Sequence, residues 1–359
     1  MDSKQSDNLT QVQDLKNFCL AAMLKAGLKC EDAELTAEVL VTTDTWGVFT
    51  HGSRQLRGLL KNVRTGRLDP NASIEVVDEG PAWAMVDGHY VIPPATSCRA
   101  MDLAIKKAKA CGLGYVGVKH SSHFGAAGYY AVMAAQQGLI GLSMSNVDPV
   151  MFVTGSKGRV IGNNPIAYAV PAGKNKPVFL DIALSTLAGT KIFVAQSEGK
   201  PIPDNWMVDD EGMPTNDPTG FPTRGAQIPM AGHKGYGLAV LVEVLTAVLT
   251  GSAITRQIKS WVLDLPEPTN EGHAFLAINI PAMMLLESFG ERMDGLIQEI
   301  QEAPKARGSD RIYLPGEMEW ERREVALTRG MVMPSYVLEN LRGLAQDLNL
   351  DPAVYHLRF

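Results

Sequence analysis

Residues 112–125 read GLGYVGVKHSSHFG, and this stretch begins with the spacing G-x-G-x-x-G. That spacing binds a dinucleotide when it follows a strand and opens a helix, because the helix N-terminus then meets the pyrophosphate. Here the order is reversed, since an alanine-rich helical pattern over residues 95–110 comes first and an apolar strand over 115–118 comes after. We therefore interpret Gly112 as the C-cap of a helix and predict a fold without a Rossmann domain.

Outward from this stretch, strands and helices alternate through the middle of the chain, while helices gather at both ends. This order is typical of an α/β fold with a helical domain. Asp87-Gly88 is interpreted as a hairpin turn, and residues 199–232 as a long ordered loop. Apolar runs predict strands at 74–77, 82–86, 115–118, 139–143, 166–170, 178–180 and 274–280. Helical spacing predicts three helices within 8–75 and further helices at 95–110, 126–137, 236–249, 283–302 and 335–348.

Composition and charge narrow the class of protein. The 359 residues carry 33 basic and 39 acidic side chains, a formal net charge of −6, which argues against nucleic-acid binding. Residues 1–11 lack the apolar stretch of a signal peptide, and no run of 18 apolar residues predicts a membrane span. We expect a cytoplasmic protein without a membrane or nucleic-acid partner. The four cysteines form no C-x-x-C pair and no zinc spacing: Cys19, Cys30, Cys98 and Cys111.

Histidines mark two candidate catalytic segments. Thr50-His51-Gly52 lies in a connection between two predicted helices, where a histidine either titrates near neutral pH or serves as a surface or capping residue. The segment 120–125 follows a predicted strand directly, the usual place for a ligand site in an α/β sheet. His120 and His123 could also begin a metal site, but no suitably spaced third and fourth ligands are nearby, so we predict no metal.

Three further segments have the composition of ligand-binding loops. Asp181 ends an apolar strand, where it could orient a histidine, bind a ribose hydroxyl or cap the next helix. Residues 232–237, GHKGYG, open an apolar helix, so the backbone can approach a ligand while Lys234 meets a phosphate or carboxylate. Pro315-Gly316-Glu317 is interpreted as a turn.

Taken in order, these motifs resemble the malate/L-lactate dehydrogenase family of the non-Rossmann type. Relatives in that family include sulfolactate and ureidoglycolate dehydrogenases and the diketogulonate and piperideine-carboxylate reductases. The resemblance covers nearly the whole chain. The motifs are Thr50-His51-Gly52, His123-Phe124-Gly125, Gly162 to Pro165, Asp181 to Ser185, Ile202-Pro203, Pro214-Thr215 with Asp217-Pro218, Lys234 to Leu238, and Pro315 to Glu317.

The resemblance implies a fold, a cofactor and an assembly. It implies a non-Rossmann nucleotide-binding domain with a mixed sheet, residues 76–302, which also binds the substrate. A helical domain is expected from residues 1–75 together with about 303–359. Members use NAD or NADP and form homodimers or larger assemblies with the active site near the interface.

The resemblance also implies roles for individual residues. His51 is the expected acid/base, although in some members the residue that matches His123 carries that role. Asp181 is expected to assist the chemistry and to contact the cofactor. The other expected cofactor contacts are Ile182, Ala183, Lys234, Gly235, Pro315, Gly316 and Glu317.

The chain departs from the family pattern around the first histidine. Thr50 replaces the usual serine and keeps its hydroxyl, and Trp46 replaces the usual arginine of a D-x-R-G motif. Gln55 replaces a common arginine, so we expect Arg54 or nearby backbone N–H groups to bind the substrate carboxylate. Thr50 is expected to bind the substrate as well and to position His51. The expected reaction interconverts a small 2-oxo acid and its 2-hydroxy acid by hydride transfer.

Three alternatives remain open from the sequence. An enzyme of the same fold could reduce a cyclic or N-alkyl imino acid. A metal-dependent hydrolase could use His120, His123 and Asp181. A binding protein could keep the fold and lose the chemistry, although Thr50-His51-Gly52 argues against that possibility.

Overall fold

The structure is a computed structural model that describes residues 9–260 and 266–359. The strands, numbered in chain order, are β1 (Leu9–Thr10), β2 (Glu75–Gly80), β3 (Trp83–Asp87), β4 (Leu113–Ser121), β5 (Leu139–Ser145), β6 (Ile166–Val170), β7 (Val178–Ile182), β8 (Met207–Val208), β9 (Pro214–Thr215), β10 (Ala226–Gln227), β11 (Glu271–Asn279) and β12 (Met331–Val332). The helices are α1 (Val12–Lys25), α2 (Cys30–Thr45), α3 (Leu56–Arg64), α4 (Pro93–Cys111), α5 (Ala127–Ala135), α6 (Gly189–Ser197), α7 (His233–Glu243), α8 (Leu286–Gln301), α9 (Glu317–Arg329) and α10 (Ser335–Leu348).

A mixed seven-stranded sheet in the order β2-β3-β4-β11-β5-β6-β7 forms the centre of the protein. Strand β11 pairs antiparallel with both β4 and β5, whereas β3 and β4 are parallel. Strands β3, β4, β5 and β7 therefore run in one direction and end at the same edge of the sheet, which we call the carboxyl edge. This arrangement confirms the predicted α/β class with a mixed sheet.

The glycine spacing that resembles a dinucleotide fingerprint has a packing role. Gly112 ends α4 with φ +89°, a conformation that an L side chain rarely adopts, and β4 begins at the next residue. A Cβ at Gly114 would lie 2.0 Å from the carbonyl oxygen of Ala104 in α4. The glycine therefore lets the helix pack closely on the strand, and the predicted C-cap role of Gly112 is confirmed.

Helices from both ends of the chain share one hydrophobic core. Phe18 of α1, Leu40 of α2 and Leu60 of α3 pack in a cluster with Val337 and Leu341 of α10. The short strands β1 and β12 pair antiparallel and join the two ends of the chain. In the described residues, no helix combines the length and the apolar character that a bilayer span requires.

All seven predicted strands are present in the central sheet, but several local predictions were wrong. Asp87-Gly88 is not a hairpin turn; β2 and β3 are joined at Pro81-Ala82, and Asp87 leads towards α4. Helices α6 and α9 were missed, and the expected loop 199–232 contains β8, β9 and β10. The apolar helix begins at His233 and changes to π-helical geometry over Val244–Val248.

Because α10 covers the N-terminal helices, Leu341→Ala is expected to destabilise the protein by about 2–5 kcal/mol. Leu341 is 0% exposed, so the variant loses apolar burial and leaves a cavity. The free energy of unfolding is measured by urea denaturation. Leu327→Ala is the matched control, because Leu327 is 57% exposed and its truncation is expected to change that free energy by no more than about 0.5 kcal/mol. Equal effects of the two substitutions would contradict the shared core.

Candidate active site

Polar residues of distant segments meet at the carboxyl edge. Ser121 ends β4, and His123 follows two residues later; Ser145 ends β5, and Asp181 lies at the end of β7. Strand β11 runs the other way, so its first residues, which include His273, lie at the same edge. The edge thus brings together residues that are far apart in the chain.

His51 and His123 form a pair at this edge. Their ring centroids are 5.4 Å apart, and the ring planes are inclined by 31°. The Thr50 hydroxyl lies 2.9 Å from His51 Nδ1, and the Gly125 N–H donates to His123 Nδ1 at 3.4 Å. Both candidate acid/base residues are therefore placed together, and each has a local contact that orients its ring.

The surroundings of the pair favour neutral imidazoles. Burial lowers the pKa of His51 to about 4, and the charge of Arg54 acts in the same direction. Burial also lowers the pKa of His123 well below its usual range, and His51 and His273 add to this effect. Both side chains keep partial solvent exposure, so they line a recess and are not sealed in the core. At neutral pH, both rings can accept a proton.

A third histidine, His273, supports the pair and was missed in the sequence. Its Nδ1 lies 2.9 Å from Ser145 Oγ, and its Nε2 lies 2.8 Å from Ser121 Oγ. The ring stacks on Phe124 with a centroid distance of 4.5 Å. The ring is fully buried and both nitrogens are occupied, so His273 fixes the residue next to His123. The sequence predicted that this strand begins at 274, three residues after its actual start at Glu271, so His273 was left outside it.

Asp44 explains the glycine of Thr50-His51-Gly52 and was also missed. It lies near the end of α2, and its Oδ2 accepts a hydrogen bond of 2.9 Å from the Ser53 N–H. A Cβ at Gly52 would lie 1.9 Å from Asp44 Oδ1, so any side chain there would displace the carboxyl group. Burial raises the pKa of Asp44 to about 7. This contact fixes the segment that carries His51.

Among the basic residues that follow His51, Arg54 is the one whose charge lowers the pKa of the His51 imidazole. Its guanidinium lies 5.8 Å from the ring centroid of Tyr336, at the start of α10. Arg57 points elsewhere and donates to Asp347 at 2.8 Å. The Gln55 amide donates to the carbonyl oxygen of Thr50 at 2.5 Å. Arg54 is therefore placed to meet an anion beside His51.

Asp181 caps a helix, although not the one expected from the sequence. Its Oδ2 accepts a hydrogen bond of 2.7 Å from the Gly128 N–H in the first turn of α5, which precedes β7 in the chain. The residue is exposed to solvent yet surrounded by many protein atoms, as at the rim of a cleft. These surroundings raise the pKa of Asp181 to about 6, and the charge of Glu319 acts in the same direction.

The three segments expected at the cofactor meet around β7. Residues Ile182 and Ala183 lead to Leu184, whose carbonyl oxygen accepts a 2.8 Å hydrogen bond from Met230 N–H. The Met230 carbonyl in turn accepts from the N–H of Gly235, at 3.0 Å. On the other side, the Phe179 N–H in β7 donates to the Pro315 carbonyl at 3.2 Å.

Of the residues expected to contact the cofactor, Lys234 has a side chain that can bind a phosphate, whereas the side chain of Glu317 is already hydrogen-bonded. Lys234 is exposed in the first turn of α7, where no side chain caps the N-terminus, so N–H groups and a cation are available to phosphate oxygens. The carboxylate of Glu317 is held by the Leu314 N–H at 2.9 Å and by Arg311. Gly316 ends the turn before α9 with φ +84°. A nucleotide fits beside α7 on these grounds.

The residues of the hydrolase alternative do not form a ligand set. His120 Nδ1 lies 2.8 Å from an Asp87 oxygen, at the end of β3, whereas Asp181 bonds to α5. Across residues 9–260 and 266–359, no three His, Cys, Asp or Glu side chains are grouped as metal ligands. The structure therefore gives no support to a metal-dependent hydrolase.

Sequence comparison decides the family. Residues 10–342 match the sequence model described as malate/L-lactate dehydrogenase. The chain belongs to this family. It is similar to the malate dehydrogenase of Pyrococcus horikoshii (36% identical, 94% of each chain). It is also similar to the L-sulfolactate dehydrogenase of Methanocaldococcus jannaschii (34% identical, 94% of this chain and 96% of the relative).

Solved structures of the malate/L-lactate dehydrogenase family have the same fold. The Pyrococcus horikoshii malate dehydrogenase superposes with a TM-score of 0.87, at 33% identity over 96% of both chains. The Methanocaldococcus jannaschii sulfolactate dehydrogenase superposes with a TM-score of 0.89 over 97% of this chain and 100% of the other, also at 33% identity. The predicted fold and class of enzyme, a dehydrogenase of 2-hydroxy acids, are confirmed.

The cofactor is a nicotinamide dinucleotide, as predicted, and relatives are named for both forms. The ureidoglycolate dehydrogenase of Escherichia coli, 31% identical over 86% of this chain and 88% of its own length, is named for NAD+. The (2R)-3-sulfolactate dehydrogenase of Chromohalobacter salexigens, 32% identical over 94% of this chain and 98% of its own, is named for NADP+.

Gly52→Ala is expected to lower kcat/KM on the order of 100-fold, because the new Cβ displaces Asp44 and shifts the segment that carries His51. Steady-state kinetics with cofactor binding measured separately checks this result. Gly58→Ala, in α3, is the matched control, since a Cβ there meets nothing within 4 Å. Wild-type kcat/KM in a correctly folded Gly52→Ala variant would show that Asp44 does not position His51.

Proposed function

We propose that this chain oxidises a small 2-hydroxy acid to its 2-oxo acid, and catalyses the reverse reaction, with His51 as the acid/base. The observation that carries the proposal is the pairing of His51 with His123 in a recess, next to the charge of Arg54. A nicotinamide bound along β7 would exchange hydride with C2 of the substrate.

Each site residue has a role that follows from its contacts. The substrate carboxylate binds the guanidinium of Arg54, which places the C2 hydroxyl at His51. Thr50 bonds to Nδ1, so Nε2 is the nitrogen that takes the hydroxyl proton. Because the Thr50 hydroxyl both donates and accepts, it serves either tautomer of the ring. His123 restricts the His51 ring and adds a second polar group for the substrate oxygen.

In this proposal, residues at the start of α7, at the end of β7 and in the turn before α9 would hold the nucleotide. Lys234 and the free N–H groups of the first turn of α7 would bind its phosphates, and the backbone of Asp181, Ile182 and Ala183 would contact it beside β7. Pro315, Gly316 and Glu317 would contribute through their backbone, because the carboxylate of Glu317 is already bonded within its own turn.

The low pKa values favour the oxidative direction in the free enzyme. A neutral imidazole is ready to accept a proton, so oxidation needs no prior deprotonation of His51. Reduction requires the imidazolium, which the free enzyme holds only near and below pH 4. A bound substrate carboxylate raises the pKa of His51 and makes the acid form available in the complex.

The pH dependence of kcat/KM tests this assignment, because that parameter reports ionisations of the free enzyme. For oxidation, the contribution of His51 to kcat/KM is expected to be constant down to about pH 5 and to fall through about pH 4, where the base becomes protonated. For reduction, kcat/KM is expected to rise as the pH falls over the same range. A change centred near pH 6.5 in both directions would contradict the buried, neutral His51.

The variant His51→Ala completes this test. It is expected to lower kcat by about 10²–10⁴-fold and to remove the change near pH 4, while nicotinamide binding is retained. His356→Ala, at an exposed position near the C-terminus, is the matched control. Near-normal turnover in His51→Ala would transfer the acid/base role to His123.

We also propose that the enzyme is a homodimer whose interface includes α7. Its last turns and the π-helical segment that follows leave a concentration of large apolar side chains in solvent, which is uncommon in monomers. Since Lys234 lies in the first turn of the same helix, the interface lies near the cofactor. The exposed side chains are Leu238, Val240, Leu241, Val244, Val248 and Leu249.

Leu241→Glu is expected to convert the dimer to a monomer, because it buries a charge against apolar side chains of the partner. Light scattering coupled to gel filtration measures the mass. Val354→Glu is the matched control, at an exposed apolar residue outside α7. A monomeric wild type at micromolar concentration, or a dimeric Leu241→Glu variant, would contradict this interface.

The reductase alternative uses the same fold with an imine in place of the carbonyl. A piperideine-2-carboxylate reductase from Pseudomonas syringae superposes with a TM-score of 0.83 at 28% identity, over 94% of this chain and 99% of the other. A panel of pyruvate, oxaloacetate and a cyclic imino acid separates the two reactions. We place the enzyme in the cytoplasm, a location that the free cysteines Cys30 and Cys111 at the surface support.

A further inference from the structure

Tyr336, at the start of the C-terminal helix α10, contacts the segment that follows His51 but has no role in the proposed function. The guanidinium of Arg54 lies over its ring, 5.8 Å from the centroid, which is within the range of a cation–π interaction. Tyr336 is 46% exposed, so this contact can be reached from solvent. It joins a helix from the far end of the chain to the candidate active site.

Electrostatic effects relate Tyr336 to the same residues that surround His51. Burial raises the pKa of Tyr336, the charge of Arg54 lowers it, and the charge of Asp44 raises it further. The charge of Arg54 also lowers the pKa of His51. The guanidinium of Arg54 is therefore close enough to act on both the phenol of Tyr336 and the imidazole of His51.

The contact with the ring leaves the hydrogen-bond donors of Arg54 available. A guanidinium has five N–H donors in its own plane, and an aromatic face attracts its charge without accepting those N–H groups as a carboxylate would. Within residues 9–260 and 266–359, Tyr336 provides the observed side-chain contact of Arg54, and no carboxylate is paired with it. The ring thus limits where the guanidinium lies and leaves its N–H groups free for a substrate carboxylate.

Arg57 shows the contrast, because the same helix holds it in a different way. Its Nε donates to Asp347 of α10 at 2.8 Å, and Arg64 lies 3.6 Å from the same carboxylate. Arg57 also packs against Gly343, where a Cβ would lie 2.2 Å from its Nη1. Helix α10 therefore neutralises Arg57 through a carboxylate and supports Arg54 through an aromatic ring.

The position at which the family commonly has an arginine does not supply the cation here. Gln55 is buried, and its amide donates to the carbonyl oxygen of Thr50. Arg54 is left to bind the carboxylate, and a long side chain that is already restricted loses less conformational entropy when a ligand binds. A support for Arg54 should therefore increase the affinity for the substrate.

We propose that Tyr336 is a positioning residue for the substrate carboxylate: its ring holds Arg54 beside His51 with the N–H donors of the guanidinium free. The C-terminal helix thereby sets the affinity of the enzyme for its 2-hydroxy or 2-oxo acid, although Tyr336 itself acts through Arg54. This inference rests on the proposed function and names the residue that orients its carboxylate-binding cation.

Tyr336→Leu tests the inference, because leucine keeps apolar bulk at this position and removes the aromatic face. The full-length enzyme is assayed with NADH or NADPH and whichever of pyruvate and oxaloacetate it reduces faster. KM for the 2-oxo acid is expected to rise about tenfold with little change in kcat, since the carboxylate is bound alike in the ground and transition states. KM for the cofactor is expected to stay unchanged. Tyr336→Phe, which keeps the ring, is the matched control and is expected to keep the wild-type KM.

Two further measurements distinguish positioning of Arg54 from a general structural effect. In an Arg54→Ala background, Tyr336→Leu is expected to change KM by less than about twofold, because the two side chains act through one contact. In the oxidative direction, the fall of kcat/KM at low pH is expected to move to higher pH in Tyr336→Leu, since a released Arg54 lowers the pKa of His51 less. Thermal melting shows that each variant is folded, and Tyr336→Gln replaces Tyr336→Leu if the latter does not fold.

The outcomes separate the two proposals. A wild-type KM in folded Tyr336→Leu, an equal rise of KM in Tyr336→Phe, or a full effect in the Arg54→Ala background overturns the inference and leaves the dehydrogenase function intact. No reduction of pyruvate or oxaloacetate with either cofactor overturns the proposed function and, with it, the inference.

Discussion

The rest of the structure depends on the antiparallel insertion of β11 between β4 and β5. Its backbone hydrogen bonds to both neighbours hold two parallel strands one strand apart, so their carboxyl ends form the two sides of a recess. The amino end of β11 lies between them and contributes His273, which fixes Phe124. A Rossmann sheet has no such strand, which is why the glycine spacing at residues 112–117 has a packing role here.

The recess also determines the chemistry of the histidine pair. Removing two imidazoles from water disfavours their charged forms, and the charge of His51 lowers the pKa of His123 further. The nearby guanidinium of Arg54 acts in the same direction until a substrate carboxylate neutralises it. In the free enzyme His51 is therefore neutral and can act as the base in oxidation. It becomes an acid only when a substrate carboxylate binds Arg54, so substrate binding and protonation of His51 are coupled through Arg54.

Much of the fold was predictable because buried strands need continuous or alternating apolar residues, and all seven such runs are strands of the sheet. Helices α6 and α9 were missed because each buries only one residue, Ile192 and Ala326, so their sequences carry no apolar stripe. His51 and His123 were candidates because histidine can transfer a proton near neutral pH. Only the family resemblance indicated that both belong to one active site. The roles of Asp44 and His273 were not predictable, because a side chain that bonds to a distant backbone or hydroxyl group leaves no local pattern in the sequence.

The central claim is that burial keeps His51 and His123 neutral at physiological pH. Long-range proton–nitrogen NMR spectra of the enzyme labelled with ¹⁵N-histidine measure the protonation of each ring directly, and His51→Ala and His123→Ala spectra assign the two signals. The account predicts that both rings stay neutral as the pH is lowered from about 8 to about 5, with His51 beginning to titrate only towards about 4. Titration of either ring near its ordinary value of 6.5 would contradict the account.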